Sequence, residues 1–284
     1  KNSLNFHSLT LSANDFESFD NYKPGIYWLS NDLLNTTRVK LGYEREVELK
    51  QNSYLAELTY QRYYPKFNIG YKNSSNYGVA KSSSGKDSLR FDFRYHQITA
   101  DIQLPFSIYR GNEVYSYGVN FGTYYIKRYD LSLNTLRNFQ DQIRFPLNYQ
   151  AYFNKNTMLS VMDLAPRWGQ NFNFIYRHMP FEKGNNQSWA VRTNFYFPGL
   201  FLNHSFQARF SVQESIGVFN RSYDIPLVDG FSYLPNSLVK NTLLFDYRLP
   251  LMYPDFSVGQ FAYVKRIHAQ FSVDYLNVHA SSLA

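Results

Sequence analysis

The 284-residue sequence has no cysteine. That excludes thiol nucleophiles and thiolate metal sites, and it fits passage through an oxidising periplasm. Nothing in it approaches the ~20 consecutive apolar residues that a membrane-spanning helix requires, and a mean hydropathy of -0.44 agrees with that lack. No glycine-rich phosphate loop opens a helix, and no zinc-ligand spacing occurs. The chain begins at Lys1 with neither an initiating methionine nor an apolar signal region, so it reads as mature, trimmed or a cut piece. Positive charge is in excess, with a formal net charge of +7, yet Lys and Arg occur singly among Tyr, Asn and Glu. Such dispersal marks a solvated face, and nucleic acid is not an expected partner.

Aromatic residues are what the chain has in abundance: Tyr 26 and Phe 25, within an aromatic share of 19%. They are dispersed, and dispersed apolar residues in a polar chain suit strands with one lipid-facing and one wet side. The organising signal is period-two alternation over segments of about ten residues. At 38–44 the set Val39, Leu41 and Tyr43 opposes Arg38, Lys40, Gly42 and Glu44. At 54–61 it is Tyr54, Ala56, Leu58 and Tyr60, and after Pro65 it is Phe67, Ile69 and Tyr71. The same reading places Leu89, Phe91, Phe93 and Tyr95 outward against Arg90, Asp92, Arg94 and His96, then Tyr115, Tyr117, Val119 and Phe121 outward against small polar residues. Further segments cover 147–153, 191–197, 206–213, 243–249 and 267–275. By this template roughly twelve to fourteen strands are present.

A soluble β-sandwich also alternates, but its strands average about five or six residues. The longer runs here favour an all-β, antiparallel transmembrane β-barrel, whose strands need about 9–11 residues to cross a bilayer. Segments 72–86 and 182–188, rich in Asn, Ser, Gly and Lys, are expected as extracellular loops. Pro65, Pro198 with Gly199, and Pro254 are expected at periplasmic turns. No composition break divides the chain, so residues 1–284 form one expected barrel domain.

Enzymatic chemistry finds little support. His7 and Ser8 are adjacent on one strand and face opposite sides, which forbids a direct general-base contact. His96, His178, His204, His268 and His279 stand alone, without a metal-ligand partner two residues away. No catalytic, cofactor-binding or metal-binding residue is assigned, no cofactor is expected, and the chain reads as not an enzyme. Asp163, Arg167, Arg177, Arg209, Asp246 and Arg248 are expected on the polar faces of strands, where opposite charges brace a barrel lumen or, in the alternative reading, set the selectivity of transport.

Five segments carry a family resemblance: NFHS at 5–8, YPKFNIGY at 64–71, APRWGQ at 165–170, YFPGLFLNH at 196–204 and LPLMYPDFSVGQFAYVKRI at 249–267. They resemble the BamA-type outer-membrane assembly factor superfamily, the bacterial surface antigen barrels. The likeness is to the divergent branch common in Bacteroidetes, where a TolB-like propeller often precedes the barrel. The resemblance implies bacterial outer-membrane localisation, outer-membrane lipid and other outer-membrane or periplasmic assembly proteins as partners, and a role in inserting or exporting proteins. The alternative is a passive barrel, a pore or the membrane anchor of a larger complex. Family barrels close sixteen strands, so the final strands are expected to lie beyond Ala284. Members carry a Val/Ile-Arg-Gly-Phe/Tyr tetrapeptide on a loop that folds into the lumen, and the matching residues are Val228, Asp229, Gly230 and Phe231. Arg is replaced by Asp, so the resemblance implies a lock of swapped polarity. Arg209 and Arg248 are the nearest sequence candidates to hold Asp229.

Overall fold

A computed structural model of the chain describes residues 5–13, 24–46, 50–81, 88–132, 141–160, 162–217, 224–226, 228, 239–259 and 262–278. The strands are β1 (Asn5–Ala13), β2 (Pro24–Asn31), β3 (Thr37–Glu46), β4 (Gln51–Tyr60), β5 (Lys66–Lys81), β6 (Ser88–Arg110), β7 (Glu113–Tyr129), β8 (Gln142–Thr157), β9 (Gly169–His178), β10 (Gln187–Pro198), β11 (Ser205–Ile216), β12 (Val239–Met252), β13 (Phe256–Val258), β14 (Ala262–Val264) and β15 (Ile267–Val278). Thirteen of them form one sheet in chain order, β1 to β12 followed by β15, while β13 and β14 make a separate hairpin. The outermost strands of that order are β1 and β15, and no ladder joins them among the described residues. Packing groups the residues into two compact units. Unit 1 comprises 1–104, 120–147 and 179–182, and unit 2 comprises 105–119, 148–178 and 183–284.

In unit 1 the register aligns apolar residues on one face. Val39 pairs with Leu58, Leu58 with Ile69, and Ile69 with Ala100. One rung along, Leu41 pairs with Ala56, Ala56 with Tyr71, and Tyr71 with Ile98. Leu41, Leu58, Ile69, Tyr71 and Ile98 are all exposed. The opposite face is polar and closely packed. Glu44, Ser53 and Ser74 are buried, and the Ser53 and Ser74 hydroxyls lie 2.9 Å apart. Tyr27 donates its hydroxyl to Glu44, and the Lys40 ammonium sits 4.4 Å from the centre of the Tyr27 ring. Gly42 makes this possible, because a Cβ there would lie 2.7 Å from the Tyr27 ring. Gly78 provides the same room under Phe91.

The β5–β6 ladder corrects two expectations. It is continuous from Lys66↔Gln103 to Lys81↔Ser88, so residues 72–81, expected in an extracellular loop, continue a strand. With Tyr71 opposite Ile98, alternation carries His96, Arg94, Asp92 and Arg90 onto the face of Leu41 and Ile69. Phe91, Phe93 and Tyr95 therefore lie on the other face, the reverse of the assignment from alternation alone. The physical reason is length: β6 has 23 residues, about twice what a bilayer crossing uses. Polarity changes sides once the strand leaves the apolar band.

Unit 2 follows the same two-sided plan. One face carries Phe172, Phe174, Phe210, Phe271, Val273 and Tyr275, all exposed. Ring contacts run across this face from Phe153 through Phe172 to Phe195, and from Phe197 through Phe206 to Phe245. The other face buries Ser188, Ser205, Gln207, Ser211, Gln213, Thr242 and Asp246. A small apolar cluster on that side joins Ala190, Ile225 and Val239, with Leu276 packed against it.

Candidate functional site

The polar face of unit 2 concentrates the charged residues, and β-alternation puts them there. On β9 the side chain of Arg177 shares a face with Asn171 and Asn173. On β10 Arg192 and Asn194 do so, on β11 Gln207, Arg209 and Gln213, and on β12 Asp246 and Arg248. Asp246 is only 1% exposed, so its charge must be compensated locally. Arg209 Nη2 donates to Asp246 Oδ2 at 2.6 Å, and Arg248 Nη2 stands 4.0 Å from the same oxygen. Asp246 Oδ1 accepts from Gln270 Nε2 at 2.9 Å and from the Ser272 hydroxyl at 2.7 Å. Arg248 also donates to Gln207 Oε1 at 2.9 Å, and Gln207 donates to Asn194 Oδ1 at 2.9 Å. One carboxylate thus anchors a network reaching from β10 to β15.

A second carboxylate comes from the β11–β12 connection. Asp224 is buried and receives a two-pronged ion pair from Arg177, whose Nη2 lies 2.8 Å from Oδ1 while Nη1 donates to Oδ2. Arg192 Nη2 is 3.9 Å from Oδ1, and the Asp224 backbone N–H donates to Gln213 Oε1 at 3.3 Å. The next residue, Ile225, inserts into the cluster of Ala190 and Val239. Pro226 then lines a cavity of about 170 Å³ together with Asn154, Asn171, Asn194, Arg192 and Arg209. Chemically this is a latch: a segment of the connection is held against the strands by a forked charge pair, a backbone hydrogen bond and one apolar plug.

The sequence-predicted residues separate into groups. Arg177, Arg209, Asp246 and Arg248 lie on polar strand faces, and the structure brings the last three together. Asp163 and Arg167 do not lie on strands. They occupy the β8–β9 link, where Arg167 Nε donates to Asp163 Oδ1 at 3.3 Å and Arg266 donates to the Asp163 carbonyl at 2.9 Å. A proline and a Trp-Gly step follow Asp163 and end the alternation, so a turn wins there. Arg209 and Arg248, the candidates to hold Asp229, both face Asp246. Val228 is buried, while Asp229, Gly230 and Phe231 lie outside the described residues. Sequence reasoning missed Asp224. Its one signal is an Asp-Ile-Pro step, 224–226, ahead of the tetrapeptide. Of the isolated histidines, His96 and His178 stack on tyrosines, and His204 Nδ1 lies 2.8 Å from the Tyr247 hydroxyl.

CdiB from Escherichia coli is similar to 93% of this chain and 50% of its own, at a TM-score of 0.49 and 13% sequence identity. CdiB from Acinetobacter baumannii is similar to 92% of this chain and 51% of its own, at a TM-score of 0.40 and 13% identity. The chain spans about half the length of each. No protein-family model and no curated protein matches it.

Proposed function

We propose that this chain is a transmembrane β-barrel domain of a bacterial outer membrane that serves protein insertion or export, with the β11–β12 connection latched inside. One observation carries the membrane reading. The sheet buries Ser74, Ser188, Thr242 and Asp246 while it exposes Leu41, Ile69, Phe174, Phe210 and Val273. In water that arrangement would forfeit about 25 cal/mol for each Å² of apolar surface left uncovered, whereas in hydrocarbon it is the stable one. Strand length supports the same reading, since most strands of the main sheet have ten residues or more. Leu41→Arg should cost ~2–4 kcal/mol of folding free energy in lipid vesicles, while Lys40→Leu on the polar face should cost well under half of that. Equal tolerance of the two would sink the face assignment.

The latch supports the protein-handling role. A segment held by ion pairs on a polar face can be released by a competing polypeptide without unfolding the sheet. Asp224→Ala should then raise single-channel conductance in planar bilayers, and depletion in cells should lower the levels of other outer-membrane or exported proteins. A second reading, a passive pore or anchor, draws on the aspartate that replaces the family arginine at position 229. Unchanged protein levels on full depletion would select it.

A further inference from the structure

We infer that the outward rim of β3–β6 in unit 1 binds a phosphate-bearing lipid headgroup between Arg45 and Arg94; the inference rests on the membrane reading above. Moving along the apolar face from the rung Leu41, Ala56, Tyr71 and Ile98, the next rung aligns Tyr43, Tyr54, Asn73 and His96. Tyr43 and Tyr54 rings are 5.7 Å apart, and His96 stacks between Tyr71 at 6.0 Å and Tyr129 at 4.6 Å. Amphipathic rings above an apolar band are the mark of a bilayer interface. The rung beyond them pairs Arg45 with Asn52 and Ser75 with Arg94. Apolar, aromatic and cationic levels therefore follow one another on a single face.

The two guanidinium groups are drawn to one neutral residue. Arg45 Nη1 donates to Asn52 Oδ1 at 2.6 Å, and Arg94 Nη2 approaches the Asn52 carbonyl at 3.5 Å. Arg94 Nη2 also donates to Asn73 Oδ1 at 2.9 Å, while Arg94 Nε is buried without a partner among the described residues. Neither arginine has a carboxylate within ion-pairing distance among the described residues, and the nearby Asp92 is taken by Arg90 at 3.6 Å. Two like charges converging on an amide, with donors to spare, call for an anion, and planar guanidinium forks match phosphate oxygens. Depth decides the source. The site sits directly above the tyrosine belt, at headgroup level, where a membrane-bound phosphate is held at high local concentration. The links at this end of the unit 1 strands, 14–23, 47–50, 82–87 and 130–141, run up to twelve residues, whereas those at the opposite end, 32–36 and 61–65, have five each, and barrels keep their longer links outside and their short ones on the periplasmic side. The rim therefore faces the external leaflet.

The test uses the full chain in phosphatidylcholine vesicles with either bis-phosphorylated lipid A or the same lipid stripped of its phosphates. Insertion is scored by vesicle flotation, and lipid binding by titration with a fluorescent lipid. Inserted protein should prefer the phosphorylated lipid by about 25-fold, roughly fivefold for each arginine. Arg45→Gln should lose about fivefold, and Arg45→Gln with Arg94→Gln should abolish the preference. Arg62→Gln, in the opposite link, should keep it. Equal binding of both lipids by inserted protein, or a preference that survives the double change, overturns the inference alone. So does complete displacement by millimolar inorganic phosphate, which would mark a free-anion site. Protein that floats with no vesicle overturns the membrane reading and this inference together.

Discussion

The polar faces of the two units solve one packing problem by different physics. In unit 1 space is matched by shape: Tyr27 lies over Gly42 and Phe91 over Gly78, and the polar groups are hydroxyls, a buried Glu44 carboxylate held by the Tyr27 hydroxyl, and a partly exposed Lys40–Glu57 pair at 3.9 Å. In unit 2 the same side is held by buried carboxylates, Asp246 and Asp224, each facing two arginines. A shape-matched face degrades in proportion to the volume changed. A charge-matched face fails when one member is removed, because its partners are left uncompensated away from water. The difference predicts that single neutral substitutions damage unit 2 more than unit 1.

The largest effect should come from Asp246→Ala. Breaking a buried pair costs about 3–5 kcal/mol, and the partial exposure of Arg209 and Arg248 brings the expected loss to roughly 3 kcal/mol. Urea titration of the folded fraction in detergent would measure it, and adding Arg209→Ala should recover part of the loss because the two positions couple. A cost under ~1 kcal/mol would mean that charge does not hold this face. Next comes Asp224→Ala, at about 2 kcal/mol, with protease cleavage in the β11–β12 connection rising at unchanged strand protection. Gly42→Val tests unit 1, where forcing Tyr27 aside should cost about 1–2 kcal/mol. Pairing it with Tyr27→Ala should remove most of that penalty, since the clash is with the ring.

The smallest effect concerns the β2–β3 link in unit 1. The Thr36 hydroxyl and then the Thr37 N–H hold the Asp32 carboxyl below the usual carboxylate range. Its folded value is depressed, so its contribution is present above the unfolded value of about 3.9 and is lost as pH falls through the folded one. The protection factor of the Thr37 amide should therefore fall as pH drops below about 4, and that fall should be missing in Asp32→Asn. Identical pH dependence in both proteins would show that the side chain does not hold the link.

Most of the strands were legible because period two is written wherever one face meets an apolar phase and the other a polar one, as in 54–61, 206–213 and 267–275. β9 alternates as clearly, with Phe172 and Phe174 against Asn171 and Asn173. β2 does not, because Tyr27 joins the polar face as a lid over Gly42, so Ile26, Tyr27 and Trp28 are apolar on both sides. The rim of β5 was illegible for another reason: residues 72–76 are polar on both faces, with Ser74 buried against the Ser53 hydroxyl and Asn73 against Arg94 and Tyr129, so the composition is that of a loop. Arg177, Arg209, Asp246 and Arg248 could be placed from alternation, but their partners could not. Asp224 reaches Arg177 across 47 residues of sequence, and no local pattern encodes that closure.

On the membrane reading proposed above, the change of polarity along β6 also fixes the molecule's depth. That reading puts Ile98, Ala100 and Ile102 in hydrocarbon and His96, Arg94 and Arg90 outside it, on one unbroken ladder with β5. Sliding outward by a single rung would wet Ile98, and sliding inward by one would press His96 and then Arg94 toward the acyl chains. Both displacements are uphill, so the strand works as a ruler with its zero mark between His96 and Ile98. An insertion of one residue at that mark would turn one half over relative to the other, giving a strand with no depth at which both halves are satisfied.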